Sequence, residues 1–248
     1  MDDLDQLVRR VDEDRWLASR FAPAAVRERL IAVYAVNYEI ARTAEIVSEG
    51  ALGDIRLEWW REALAEIGDG KPPRPHPALV ALHGTLKRRE WATTFEGIIA
   101  ARSKDLEPAP FMTWDALESY IDATAGGVMR LALEACDGLD GEAEAVVLPA
   151  ARAWGYAGLL RAAPYWRAKG RSAVPHQGGS AEAMLGRARR YYEQARPLAR
   201  GLPSNVFPAI GYIALLPGYL RALARGRHET PAFVRQAALV AASATGRV

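Results

Sequence analysis

The sequence predicts an all-α protein. Helical periodicity of apolar residues runs through most of its 248 residues, strand-like alternation with hairpin turn signals is almost absent, and the proline- and glycine-rich stretches fall between periodic segments. Candidate helices cover 2–20, 23–49, 52–68, 75–90, 92–104, 113–136, 141–163, 180–200, 205–226 and 230–243.

The first segment opens with "MDDLDQLVRRVDEDRW", which is acidic and has no apolar core, so it reads neither as a secretory signal nor as a presequence. Pro23 suits the first turn of the second helix. Within that helix, "AVYAVNYEIARTAE" (32–45) repeats Val33, Val36, Ile40 and Ala44 at helical spacing, which predicts a buried side. Asn37, Tyr38, Ala41, Arg42 and Glu45 give the adjoining face a mixed character. "DIRLEWWREAL" (54–64) offers Ile55, Trp59 and Ala63 at four-residue spacing, with Trp60 beside them, and reads as a core helix with a charged outer face. "GDGKPPRPHP" is a loop that no helix can cross.

Farther along, "GGVMR" and the pair Gly178 and Gly179 lack the strand-to-helix setting of a phosphate-cradling loop, and read as close packing and a flexible loop. Gly155, Gly158, Ala162 and Trp166 form one helical stripe provided that Pro164 bends the helix instead of ending it. Small residues there permit a close helix crossing or an open cavity. Arg161, Arg167, Lys169 and Arg171 gather positive charge beside the stripe, ahead of a second loop at 169–179. No run reaches the roughly 20 apolar residues that span a bilayer. The nearest, "FPAIGYIALLPGYL", is interrupted by two prolines, so membrane contact is expected to be peripheral.

Composition narrows the function classes. The balance of 32 basic and 30 acidic residues leaves a net charge of +2, and no basic run stands apart from acids, which argues against nucleic acid as a partner. The length suits one domain over 1–248. A lone cysteine, Cys136, is expected to be a small buried hydrophobe in a reducing compartment. His76, His83, His176 and His228 are scattered without metal-ligand spacing.

The stretches "DRWLASRFAPAAVRERLIAVYAVNYEIARTAE", "RLEWWREAL", "ARSKDL", "YIDATAGGVMRL" and "GRSAVP" follow in an order that resembles the squalene/phytoene synthase family across residues 14–175. The resemblance implies a single-domain isoprenoid synthase-like helical fold around a central cavity. In catalytic members two acidic motifs on facing helices hold magnesium and the diphosphates of two prenyl substrates, which are joined head to head. Carried over by position, the first motif falls on Tyr38, Ala41, Arg42 and Glu45, and the second on Gly155, Gly158, Ala162 and Trp166. Tyr120 matches a substrate-pocket tyrosine, Arg161 the arginine before a lost aspartate, and Gly170 with Arg171 the terminal Gly-Arg.

Magnesium is held by oxygen ligands, usually one or two carboxylates plus substrate phosphates. The implied expectation is therefore a protein without catalytic residues, metal or other cofactor. "EIARTAEIVSEGALGDIRLEWWREAL" and "AGLLRAAPYWRAKGR" resemble the non-catalytic branch of the family, the mitochondrial complex I assembly factors and their bacterial relatives. That branch implies respiratory complex I subunits or assembly proteins as partners; a silent member could also use the inherited cavity or outer surface to bind an isoprenoid or quinone-like lipid. Richness in Ala and Arg fits a bacterial protein in the cytoplasm or at the inner face of the membrane. The competing reading is an atypical Mg²⁺-dependent or arginine-assisted prenyltransferase acting on prenyl diphosphates.

Overall fold

The computed structural model describes residues 1–47, 49–86, 90–107 and 111–246. In chain order the helices are α1 (Asp2–Val11), α2 (Glu13–Ser19), α3 (Ala24–Ala41), α4 (Thr43–Ile46), α5 (Gly50–Gly68), α6 (Pro77–Leu82) and α7 (Glu90–Arg102). They continue with α8 (Trp114–Ile121), α9 (Gly127–Ala135), α10 (Gly141–Ala168), α11 (Ala181–Ala199), α12 (Phe207–Ile210), α13 (Leu216–Leu223) and α14 (Ala232–Thr245). No strand occurs among the described residues. The all-α expectation therefore holds.

Several boundaries differ from the sequence reading for local reasons. The segment 2–20 divides at Asp12, whose φ of −145° and ψ of 60° break the helix. Asp5 ties the two pieces together by accepting from Trp16 Nε1 at 3.0 Å and from Arg20 Nη1 at 2.8 Å. The segment 23–49 stops at Ala41; Arg42 forms a turn, α4 follows, and Val47 is extended. Its residue 48 lies outside the described residues. Among the described residues of the segment 75–90, the helix is the short α6 and then Glu90, which opens α7, because the chain turns at His83 and Gly84, the latter at a φ of +74° that favours glycine. Residues 87–89 of that segment also lie outside the described residues. A π-helical turn at Asp122–Gly126 separates α8 from α9 in the segment 113–136.

The chain forms two compact units. Unit 1 comprises Met1–Glu107, Gly127–Leu139 and Asn205–Ile210; unit 2 comprises the described residues of 108–126, 140–204 and 211–248. Each is built on one central helix. In unit 1, α3 meets α1, α2, α6, α7 and α9, and residues Leu30 to Val36 are all at most 1% exposed. A helix covered on all sides needs no polar face, which accounts for the apolar run "LIAVYAV". Val33, Val36, Ile40 and Ala44 are buried as their spacing predicts.

In α5 the buried stripe is Gly53, Leu57, Trp60, Ala63, Leu64 and Ile67. Of the four-residue series expected from the sequence, Ala63 is fully buried, but Ile55 is 67% and Trp59 36% exposed, and the adjacent Trp60 is fully buried. Gly127 packs against Ile98 of α7, in line with the close packing expected of "GGVMR". Cys136 is buried, and burial pushes its thiol pKa up to about 12, consistent with its expected role as a small hydrophobe.

In unit 2, α10 packs against α8, the π-helical turn, α11 and α13. Its apolar spine includes Val146, Val147, Ala150, Ala151, Ala153, Trp154, Tyr156 and Ala157. Trp154 meets Tyr212 edge-on, with ring centroids 4.7 Å apart. The stretch Ser204–Leu223 corrects the membrane-span estimate. It is 20 residues long and contains an 18-residue window with a mean hydropathy of 1.4, enough by length and composition to cross a bilayer, yet 72% of that window is buried in the protein. Pro208 and Pro217 do not interrupt it as expected, because each falls in the first turn of a helix, α12 and α13, where the missing N–H has no partner to lose.

Two glycines of α10 separate the close crossing from open space. A Cβ on Gly155 would collide with the Ile121 side chain at the end of α8, whereas one on Gly158 would meet nothing within 4 Å. Gly155→Ala is expected to destabilise the protein by about 1–3 kcal/mol, the usual cost of overpacking. Gly158→Ala is expected to be neutral or stabilising by up to about 1 kcal/mol through helix propensity. Urea denaturation of the two variants reads the difference; equal effects would show that the α8–α10 approach does not depend on Gly155.

Candidate functional site

The second set of motif positions lies on α10 of unit 2. This helix continues through Pro164 to Ala168. Proline has no N–H, so the Leu160 carbonyl loses its helical donor. His228 takes over: its Nδ1 lies 3.1 Å from Leu160 O, and since a carbonyl only accepts, Nδ1 carries the hydrogen. The helix then closes in a Schellman arrangement. Gly170, at a φ of +70°, donates to Arg167 O at 3.0 Å, and the Arg171 N–H donates to Trp166 O at 2.9 Å. That cap explains the Gly-Arg pair and carries the Arg171 guanidinium to 5.9 Å from the Trp166 ring.

Beside the cap lies a pocket of about 250 Å³. Leu159, Leu160, Ala163, Trp166 and Arg167 of α10 line it, together with Arg171, Ser172, Ala173 and Val174 and, from α11, Ala181 and Met184. Its walls are mainly apolar, and two guanidinium-bearing side chains belong to it. Such a pocket suits an apolar group with an anionic end. Of the predicted positions, Trp166 and Arg171 meet here, while Gly155 packs on α8 and Gly158 and Ala162 lie half-buried along α10. The Arg161 guanidinium lies 3.8 Å from the Tyr219 ring centroid, a cation–π contact within the unit. Tyr120 is buried, with its ring edge-on to Phe111 at 5.0 Å.

The first set lies in unit 1 and is divided by the turn at Arg42. Tyr38 and Ala41 belong to α3, whereas Glu45 belongs to α4 and is exposed. Arg42 lies over the Tyr38 ring at 5.3 Å and donates from Nη1 to Glu39 Oε1 at 3.1 Å. The other oxygen of Glu39 accepts from Arg56 Nη2, also at 3.1 Å. Glu39 is thus a buried carboxylate held by two cations, a residue the sequence reading did not single out. His76 caps α6, its Nδ1 accepting from the Ala78 N–H at 3.3 Å; burial lowers its pKa, opposed by nearby Glu39 and reinforced by Arg56.

A second buried network escaped the sequence reading. Glu118 of α8 accepts at Oε1 from Tyr156 Oη (2.9 Å) and Arg187 Nη1 (2.8 Å), and at Oε2 from Tyr191 Oη (2.9 Å). Arg152 approaches Glu118 Oε2 at 3.0 Å and grips both oxygens of Asp122 at 2.8 and 2.7 Å. Burial, then the bond to Glu118, raises the Tyr156 pKa, so its hydroxyl stays protonated as a donor. The network rivets α8, α10, the π-helical turn and α11. Its sequence signals are the four-residue spacings of Arg152 with Tyr156 and of Arg187 with Tyr191, which place each pair on one helix face.

These donor sets do not fit magnesium. Both oxygens of Glu39 face guanidinium groups, and the stripe Gly155, Gly158, Ala162 and Trp166 supplies no carboxylate. Buried Asn37 Oδ1 and Thr43 Oγ1 have no hydrogen-bond partner among the described residues, but they are neutral oxygens. No group of three His, Cys, Asp or Glu side chains suited to a metal occurs among the described residues.

Comparison with known proteins gives a consistent lineage. The squalene/phytoene synthase family profile matches residues 8–182. The chain is 26% identical to "NADH dehydrogenase (ubiquinone) complex I, assembly factor 6" of Mus musculus, over 89% of this chain and 72% of that protein. It is 27% identical to the Bos taurus protein of the same name, over 87% and 71%. Among solved structures, a dehydrosqualene synthase in complex with ligand superposes with a TM-score of 0.78 at 14% identity, covering 98% of this chain and 95% of the other. The squalene synthase HpnC from Alicyclobacillus acidocaldarius gives 0.70 at 20% identity, covering 99% and 93%. At such identities the two structures establish the helical isoprenoid synthase fold.

A double-mutant cycle tests the pairing of His228 with the carbonyl exposed by Pro164. His228→Ala is expected to cost about 1–3 kcal/mol, the range for leaving a buried acceptor unsatisfied, with the lower end favoured because this bond is part-buried. In a Pro164→Ala background the new N–H can reclaim Leu160 O, so the loss should shrink. Urea unfolding of the four proteins measures it, and equal losses in both backgrounds would remove His228 from this role.

Proposed function

The chain belongs to the squalene/phytoene synthase family, and we propose that within it the protein is a non-catalytic member that assists assembly of respiratory complex I. The observation that carries this reading is the state of Arg42. It stands at a position assigned to the family's first acidic motif, and it is engaged with Glu39 and Tyr38. A cation there repels a divalent metal, and the second motif's positions on α10 bring no carboxylate to offset it. The naming of the mammalian relatives as complex I assembly factor 6 supports the assembly role. On this reading the partners are complex I subunits or other assembly proteins, the compartment is the cytoplasm or the inner face of the membrane, and the inherited scaffold serves binding.

The pocket beside α10 favours one addition. Its apolar walls and the nearby Arg167 and Arg171 suit an isoprenoid or quinone-like lipid with an anionic or polar end. The same feature supports the rival enzyme reading, in which arginines pair with a prenyl diphosphate directly.

Two measurements separate the readings. Affinity capture of the intact protein from respiring cells of its source is expected to recover NADH dehydrogenase subunits. Incubation with farnesyl or geranylgeranyl diphosphate, with and without Mg²⁺, is expected to release no pyrophosphate above background. Steady multiple-turnover release would overturn the non-catalytic assignment, and capture without any complex I component would overturn the assembly role.

A further inference from the structure

The outermost face of α14 is apolar where a surface helix is ordinarily polar. Leu239 and Ala242 are its buried residues, and the helix packs on the 3₁₀ turn Gly211–Leu215. On the outside, Phe233, Ala237, Val240, Ala241 and Ala244 recur at helical spacing, and all five are exposed. Phe233 is 72% and Val240 59% exposed, among the highest values for large apolar side chains in the protein. A run of this kind on the outside of a helix marks a contact surface.

The charge beside this face selects the occupant. Residues 204–248 contain five arginines and a single acid, Glu229, although the whole chain is nearly balanced. Arg221, Arg225 and Arg227 are exposed, and the latter two lie in the connection that leads into α14 just before Phe233. We propose that α14, together with these arginines, docks unit 2 onto an anionic lipid bilayer, lying in the interface with Phe233 and Val240 inserted among the acyl chains. The helix is about 21 Å long at 1.5 Å per residue, too short to cross a hydrocarbon core of about 30 Å, so it lies in the plane. Pairing with a second copy would bring two arginine clusters together, whereas anionic headgroups satisfy them. The inference is independent of the assembly reading, since it concerns a surface and a lipid rather than a protein partner.

Co-sedimentation of the intact protein with phosphatidylcholine vesicles, with and without phosphatidylglycerol, tests it. Wild type is expected to bind the anionic vesicles strongly at low salt, to release as salt rises, and to bind neutral vesicles weakly. Phe233→Glu combined with Val240→Glu is expected to reduce binding to anionic vesicles about tenfold or more, with an unchanged circular dichroism spectrum. Arg225→Glu combined with Arg227→Glu should reduce it by about the same factor and flatten the salt dependence. Ile55→Glu, a change at an exposed apolar residue of unit 1, should bind as wild type. Failure of wild type to bind anionic vesicles would overturn the proposal, as would full binding by the α14 variant. So would a result in which that variant's only change is from dimer to monomer in sedimentation velocity.

Discussion

The continuation of α10 through Pro164 is the constraint on which the candidate site of unit 2 depends. A proline in a helix interior removes one hydrogen bond and ordinarily bends or ends the helix at a cost of about 3 kcal/mol. Here the freed Leu160 carbonyl is taken by His228 from the connection before α14, and the helix runs one more turn. That extra turn carries Trp166 and Arg167, and its Schellman cap turns the chain so that Arg171 faces Trp166. Without the turn, the pocket beside α10 would lose much of its wall. One hydrogen bond between distant parts of the sequence thus supports the chemistry of the site.

Unit 1 reaches a comparable arrangement by electrostatics. Glu39 is buried on the central helix α3, where an isolated carboxylate would be strongly disfavoured. Arg42 and Arg56 each occupy one of its oxygens, and Arg42 also rests on Tyr38. The pairing makes Glu39 a structural carboxylate and commits Arg42 to the protein itself. Unit 2 repeats the solution around Glu118, with two arginines and two tyrosine hydroxyls at its oxygens. In both units buried acids are neutralised by arginine, and that use of charge differs from a cluster of acids waiting for a divalent cation.

On the proposed non-catalytic reading, the fold can persist without the chemistry, because different residues carry the two. The helical core depends on apolar packing along α3 and α10, which is intact: Leu30 to Val36 and the spine from Val146 to Ala157 are buried. The positions that the family resemblance assigns to the metal motifs are fewer and lie outside that buried set: Glu45 is exposed, and Gly158 and Ala162 are half-buried. Gly158, with open space where a Cβ would stand, shows how little the core demands there.

The sequence by itself determined the helical class, the buried side of α3 and the family, because these rest on the period of apolar residues and on the order of local motifs. The Gly170–Arg171 pair stood out only as a motif match; that it caps α10 beyond Pro164 was decided by the structure. The face of α5 is only partly legible: Ile55, Trp59 and Ala63 fit a helical repeat, and so do Leu57, Trp60 and Leu64, and packing covers Ala63 and the second set but not Ile55 and Trp59. The prolines of Ser204–Leu223 looked like interruptions until their places at helix starts were known. The pairings of Glu39 with Arg56, Glu118 with Arg187 and His228 with Leu160 were decided by tertiary structure alone. Each joins residues far apart in the chain, and no local periodicity encodes which buried charge or carbonyl will meet which donor.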